Sequence, residues 1–253
     1  MLCIGLDPDP NRFPKRFLKE DEPIFNFNKA IIDATADLVC CFKPQIAHYA
    51  AAGAESELFK TIAYIKDLGI PVILDAKRGD VGITAERYAV ECFERYNADA
   101  VTINPYLGFD AMEPFLSYTD KGVFILCRTS NPGGADLQNL TLDNGLSLYE
   151  HVAHQASSVW NTNNNVALVT GATQPQELAR IREIAGDMTF LLPGIGAQGG
   201  DVEASLAAGE GGGLIVSSSR TVLYASGGDD FADAARQVAD STRIEINKHR
   251  TAS

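Results

Sequence analysis

The chain has 253 residues, 45% of them hydrophobic, and its 21 Lys and Arg against 33 Asp and Glu give a formal net charge of −12. That length and apolar content suffice for one large α/β domain. The acidic balance argues against nucleic acid or an anionic membrane surface as a partner, so any anionic ligand must be held by local positive groups. No apolar run approaches the roughly 20 residues of a membrane span. Leu2–Leu6 meets Asp7 too soon to be a signal peptide. The five cysteines, Cys3, Cys40, Cys41, Cys92 and Cys127, are odd in number and lack C-x-x-C spacing. They read as reduced thiols of a cytoplasmic protein.

Apolar runs alternate with amphipathic patterns from end to end. Strands are expected at Leu2–Leu6 and Cys40–Lys43, followed by a helix in which Leu58, Ile62 and Ile65 keep i, i+4, i+7 spacing and Gly69 supplies the stop. The third strand, Val72–Asp75, is apolar until its last residue and reads as buried on both faces. The fourth and fifth are expected at Ala100–Asn104 and Val123–Cys127. Residues 128–145 are rich in Gly, Asn and Asp and read as a long loop, uncommon at that length unless functional. His151 and His154 stand i, i+3 on the next helix with no third ligand nearby, so they read as a surface pair rather than a metal site. Val166–Thr170 forms the sixth strand. Thr173 then caps a helix with Pro175 in its first turn, a stripe of Leu178, Ile181 and Ile184, and a stop at Gly186. The last strands are Phe190–Leu192 and Leu214–Ser217, and Phe231, Ala235 and Val238 mark a closing helix. Eight strand–helix units in about 250 residues predict a (β/α)8 TIM barrel, a single domain over residues 1–253. The first strand starts at residue 2, with no lead-in helix before it.

In such a barrel the chemistry lies at the C-terminal ends of the strands. Those ends carry Asp7, Lys43, Asp75 and Lys77, Asn104, Ser130 in the loop after strand five, Thr170-Gly171, Pro193-Gly194 and Arg220. The densest cluster is Asp75-Ala-Lys77-Arg-Gly-Asp80. Side chains two apart on a strand share a face, so Asp75 and Lys77 should point the same way. Acids bracketing a lysine beside a buried strand are costly unless paired, which marks the segment as a candidate active site. Asp80 and Thr84, four apart at the start of the third helix, are expected on one helical face. Gly194-Ile-Gly196-Ala-Gln198-Gly199 fits the dinucleotide-binding pattern G-x-G-x-x-G. It falls in the seventh of eight units, however, and the next strand ends in Arg220 rather than an acid. Loops seven and eight of such barrels often hold a phosphate, and Ser217-Ser218-Ser219-Arg220 adds hydroxyls, amides and a guanidinium suited to one.

Taken together these residues resemble the orotidine 5′-phosphate decarboxylase family, over essentially the whole chain. Asp75-Ala-Lys77-Arg-Gly-Asp80 followed by Thr84 looks like its Asp-x-Lys-x-x-Asp signature. Phe42-Lys43-Pro-Gln, Leu126-Cys-Arg-Thr-Ser130-Asn-Pro-Gly, Gly171-Ala-Thr-Gln-Pro, Leu192-Pro193-Gly-Ile-Gly-Ala-Gln198-Gly and Ser217-Ser-Ser-Arg220 look like its longer-chain bacterial branch, type 2. The resemblance implies a homodimer acting on orotidine 5′-monophosphate (OMP), with no metal or organic cofactor. It implies Lys77 as proton donor to C6 of the pyrimidine, Asp75 beside the leaving carboxylate, and Asp7 and Lys43 at the ribose hydroxyls. Asp80 and Thr84 would serve the neighbouring subunit's site. Ser130 would bind the pyrimidine edge, Gln198 bridge base and phosphate, Arg220 with Ser219 grip the phosphate, and Pro193 line the pocket.

Three rivals remain open on the residues alone. A Mg²⁺-dependent sugar-phosphate lyase of the same barrel group would need carboxylates at the second strand tip, where Lys43 stands. A Schiff-base aldolase would need Lys43 or Lys77 neutral, which flanking acids oppose. A non-catalytic nucleotide-binding protein would need the phosphate grip but not the costly Asp75–Lys77–Asp80 cluster.

Overall fold

Eight parallel strands arrange themselves in the hydrogen-bonded order β2-β1-β8-β7-β6-β5-β4-β3 in a computed structural model that describes residues 1–171, 175–194 and 202–249. They are β1 Leu2–Leu6, β2 Cys41–Pro44, β3 Ile73–Arg78, β4 Ala100–Ile103, β5 Gly122–Arg128, β6 Val166–Thr170, β7 Phe190–Pro193 and β8 Leu214–Ser218. The seam between β2 and β3 has no continuous ladder. It is closed by two parallel bridges, Phe42 with Val72 and Gln45 with Asp75. With helices between successive strands, the result is a single-domain (β/α)8 barrel, nearly closed.

The period-2 alternation of a strand explains why these runs are apolar on both faces. Cys3, Cys41, Ile73, Ala100, Phe124, Ala167, Val169 and Leu191 pack together inside the barrel. Their neighbours Leu2, Ile4, Phe42, Leu74, Val101, Ile125, Leu168 and Leu192 belong to a second core shared with the helices. The helix Glu55–Asp67 buries Leu58, Ile62 and Ile65, and Pro175–Ala185 buries Leu178 and Ile181. Phe231–His249 buries Phe231, Ala235, Ala239 and Ile246. Each such Leu, Ile or Phe contributes roughly 1.5–3 kcal/mol by leaving water. Thr173, the expected cap of the helix Pro175–Ala185, lies outside the described residues.

Residues 128–145 are more ordered than their composition predicts. They contain a 3-10 turn at Pro132–Gly134 and a short helix at Ala135–Gln138. Gln138 explains the order: its Oε1 accepts from the Thr129 N–H and from Arg128 Nη1, both at 3.0 Å, and its Nε2 donates to Thr129 Oγ1 at 2.9 Å. Arg128, paired with Glu177 at 2.8 Å, ties this clasp to the helix that follows β6. Among the described residues no helix is long and apolar enough to cross a membrane.

Candidate active site

The tip of β3 departs from regular strand geometry. β3 and β4 pair Ile73 with Ala100 and Leu74 with Val101, and the next pair is Arg78 with Ile103. Asp75, Ala76 and Lys77 therefore stand opposite Thr102 alone, a bulge of two residues. Lys77 takes a left-handed backbone, φ +46°, which costs a residue with a Cβ on the order of 1 kcal/mol or more. Asp75 and Lys77 do meet, as alternation along a strand would have them do. The physical reason is different: the bulge re-aims Lys77.

Asp75 is the hub of the cluster. Its Oδ2 accepts from Lys43 Nζ at 2.8 Å, and its Oδ1 accepts from Lys77 Nζ at 2.5 Å and from Thr102 Oγ1 at 2.8 Å. The side chains of Lys43 and Asp75 are 7% and 10% exposed, whereas Lys77 is 45% exposed. Burial would lower the Lys43 ammonium's pKa, but the carboxylates of Asp75 and Asp7 outweigh it and hold that pKa above the ordinary lysine range. Burial would likewise raise Asp75, yet Lys43 and Lys77 outweigh it and hold its carboxyl well below the usual carboxylate range. The result is a buried Lys43–Asp75 pair with a second ammonium reaching toward solvent.

Asp7, just beyond β1, is fixed from two sides. Its Oδ2 accepts from Ser219 Oγ at 2.7 Å, and its backbone oxygen accepts from Tyr224 Oη at 3.0 Å. Asp7 Oδ1 is buried with no partner among the described residues, a carboxylate oxygen ready for a hydroxyl. Gly5 permits this approach, since a Cβ there would lie 2.8 Å from Ser219 Cβ.

A cavity of about 270 Å³ opens between these strand tips. Asp7, Lys43, Asp75, Lys77, Pro193, Ser219 and Arg220 all line it, so the structure gathers seven of the expected site residues around one space. Asp80, Thr84 and Ser130 are not on its wall. Asp80 stands before the helix Gly82–Val90 rather than on it, its Oδ1 accepting from the Val81 N–H at 2.8 Å. It therefore shares no helical face with Thr84, which is exposed in the first turn. Ser130 packs on Gly171, where a Cβ would fall 2.9 Å from the Ser130 backbone nitrogen. Gln198 lies outside the described residues, as do Gly196 and Gly199. Asn104 is used locally, accepting from the Tyr106 N–H at 3.0 Å. His151 and His154 sit on the helix Leu148–Gln155, and no group of His, Cys, Asp or Glu among the described residues is arranged to hold a metal ion.

Gln45 and His48 also line the cavity, with His48 Nδ1 3.0 Å from the Pro8 oxygen. Sequence reasoning gave neither a role: Gln45, quoted within Phe42-Lys43-Pro-Gln, caps the short helix Ile46–Ala51 and His48 lies on it, where neither hydropathy nor spacing sets them apart. A larger cavity of about 470 Å³ lies at the other end of the barrel, lined mainly by residues such as Cys41, Val72, Phe124 and Ile215. Its one acid, Asp99, is already taken by the Val72 N–H at 2.9 Å and Lys66 at 2.5 Å. Convergent charge, rather than size, distinguishes the mouth.

A (β/α)8 barrel with its charges gathered at the C-terminal strand tips has the architecture of a barrel enzyme. The profile described as "Orotidine 5'-phosphate decarboxylase / HUMPS family" matches residues 1–237. The chain is 60% identical over 257 residues to the orotidine 5′-phosphate decarboxylase of Cellvibrio japonicus, covering 99% of this chain and 94% of that one. It is 58% identical over 255 residues to that of Ralstonia nicotianae, with the same coverage. The structure of Leishmania donovani OMP decarboxylase superposes with a TM-score of 0.84 at 40% identity, covering 100% of this chain and 94% of that one. The chain belongs to the orotidine 5′-phosphate decarboxylase / HUMPS family, and it is an enzyme of the carboxy-lyase class.

Proposed function

We propose that the protein converts OMP to UMP in pyrimidine biosynthesis without a cofactor, with Lys77 stabilising the charge that develops at C6 and then protonating that carbon. The observation that carries this reading is the Lys43–Asp75–Lys77 array, whose one half-exposed ammonium faces the cavity. Loss of CO₂ from C6 leaves an electron pair in an sp² orbital with no delocalising sink. Most decarboxylases meet that problem with an organic cofactor. Fixed charge is the alternative: at 4 Å and an effective dielectric of 20, one ammonium is worth about 4 kcal/mol. A large rate enhancement asks for on the order of 20 kcal/mol. The remainder is assigned to binding of the remote ribose and phosphate, which presses the substrate carboxylate against Asp75. Asp7, through its unpartnered Oδ1, and Lys43 take the ribose hydroxyls. Arg220, Ser219 and Gln198 take the phosphate, Ser130 the pyrimidine edge, and Pro193 the cavity wall. The five free thiols favour the cytoplasm as the place of work.

Two features favour this reading over its neighbours. A divalent cation at the β2 tip would meet the buried Lys43 ammonium. A Schiff base at Lys43 would need a neutral amine where Asp75 and Asp7 favour the charged form. Adding the protein to OMP is expected to remove the substrate's ultraviolet absorbance at the same rate with and without EDTA. A rate abolished by EDTA would transfer the protein to the metal-dependent lyases.

We further infer that the working form is a homodimer. Val81, Ile83, Tyr106, Leu107 and Phe109 are 54%, 70%, 76%, 43% and 39% exposed, and they flank the tips of adjacent strands β3 and β4. Asp80 and Thr84 lie among them, off the wall of their own cavity. A second copy covering this face would bury the patch and receive both residues. Ile83→Asp is expected to give a monomer by sedimentation with little activity; a fully active monomer would overturn the inference.

A further inference from the structure

We propose that Thr102 is a positioning residue for the reaction, its hydroxyl holding the β3 bulge and thereby the placement of both Asp75 and Lys77. The inference rests on the roles proposed above for those two residues. Thr102 is 1% exposed and touches no part of the cavity. Its hydroxyl has one proton to give and two lone pairs to fill. All three are spent at the tip of β3: Oγ1 accepts from the Ala76 N–H at 3.1 Å and the Lys77 N–H at 3.0 Å, and donates to Asp75 Oδ1 at 2.8 Å.

The bulge takes two β3 amides out of the regular ladder with β4. The Thr102 oxygen satisfies both, and so offsets the left-handed turn at Lys77 that aims its side chain at the mouth. Because both lone pairs are occupied by amides, the hydroxyl proton can only point at Asp75. That orientation requires an unprotonated acceptor at Oδ1, the same oxygen that holds Lys77. One buried hydroxyl thus fixes the backbone under the proton donor and the carboxylate that orients it.

Thr102→Val keeps the shape and removes the hydroxyl, whereas Thr102→Ser keeps the hydroxyl. The Val variant is expected to lose kcat roughly 10- to 100-fold, the scale of one hydrogen bond to a charged group. KM for OMP and affinity for UMP should stay within about threefold of the parent, because the phosphate and ribose contacts are untouched. The Ser variant should keep kcat within about fivefold, since it supplies the same donor and acceptors. Should the Val variant not fold, Thr102→Ala carries the same comparison with Ser. Parent-like kcat without the hydroxyl, or a Ser variant as slow as Val, would overturn the inference. Lys77→Ala in the same series separates the two levels: if Lys77→Ala is active, the proposed mechanism fails. If Lys77→Ala is inactive while Thr102→Val is unimpaired, only the role of Thr102 fails.

Discussion

Lys77→Ala is expected to yield a folded protein that binds UMP and no longer turns over OMP. The side chain is 45% exposed, so its removal uncovers little apolar surface, and Asp75 keeps Lys43 and Thr102 as partners. Stability should therefore change by no more than about 1 kcal/mol, as for exposed ion pairs. The chemical step loses two things at once. Withdrawing a charge worth about 4 kcal/mol at C6 is roughly a thousandfold in rate. Removing a positioned proton donor costs a further 10²–10⁴-fold or so. Turnover should fall by on the order of 10⁵-fold or more, while UMP affinity, assigned above to Arg220, Ser219 and Asp7, should change little. Single-turnover kinetics with a parallel UMP titration checks both halves. A variant within tenfold of the parent rate would remove Lys77 from the mechanism.

Asp75→Ala should damage stability as well as rate. It leaves the Lys43 ammonium, 7% exposed, without its nearest anion. Breaking a buried pair from one side typically costs about 3–5 kcal/mol, because the remaining charge is neither solvated nor paired. For a chain of this size that is a fall in Tm on the order of 10 °C. The pH dependence has a definite sign at each limb. The Asp75 carboxyl is held below its ordinary range, so its contribution is present above the unfolded pKa of about 4 and is lost as pH falls through the folded value. The Lys43 amine is held above its ordinary range, so its contribution is present below the unfolded pKa of about 10.4 and is lost as pH rises through the folded value. The parent's advantage over Asp75→Ala should thus be level near neutrality and shrink toward both extremes. Replacing both partners, as Lys43→Met with Asp75→Leu, should recover most of the stability without activity. Thermal melts across pH test this, and a single variant as stable as the double one would contradict the pairing argument.

Much of this architecture was legible before any coordinates. Val72, Ile73 and Leu74 are apolar because one face of β3 meets the barrel interior and the other the helices, and a run without polar alternation records both demands. The same logic located all eight strands, with ends shifted by a few residues. The mouth was legible because charged residues end strands that are otherwise apolar: Asp7, Lys43 and Asp75 each interrupt such a pattern, and Arg220 follows the serines at the end of β8. What escaped depended on register. The bulge arises from how β3 slides against β4 and from a threonine two strand residues before Asn104, and Thr102 in isolation is an ordinary β-branched strand former. The order in residues 128–145 comes from Gln138 reaching back to Thr129, a contact that composition does not encode. Spacing alone puts Asp80 on a helical face with Thr84, because nothing in the sequence marks the helix as starting two residues later, at Gly82.

The seam between β2 and β3, reduced to two bridges, is crossed by the Lys43–Asp75 pair. The charges proposed to meet the substrate therefore also latch the cylinder shut at its least-stitched line. Retuning the chemistry by trading either residue means unfastening the wall that carries it. A redesign of this pocket must first provide another rivet between those two staves.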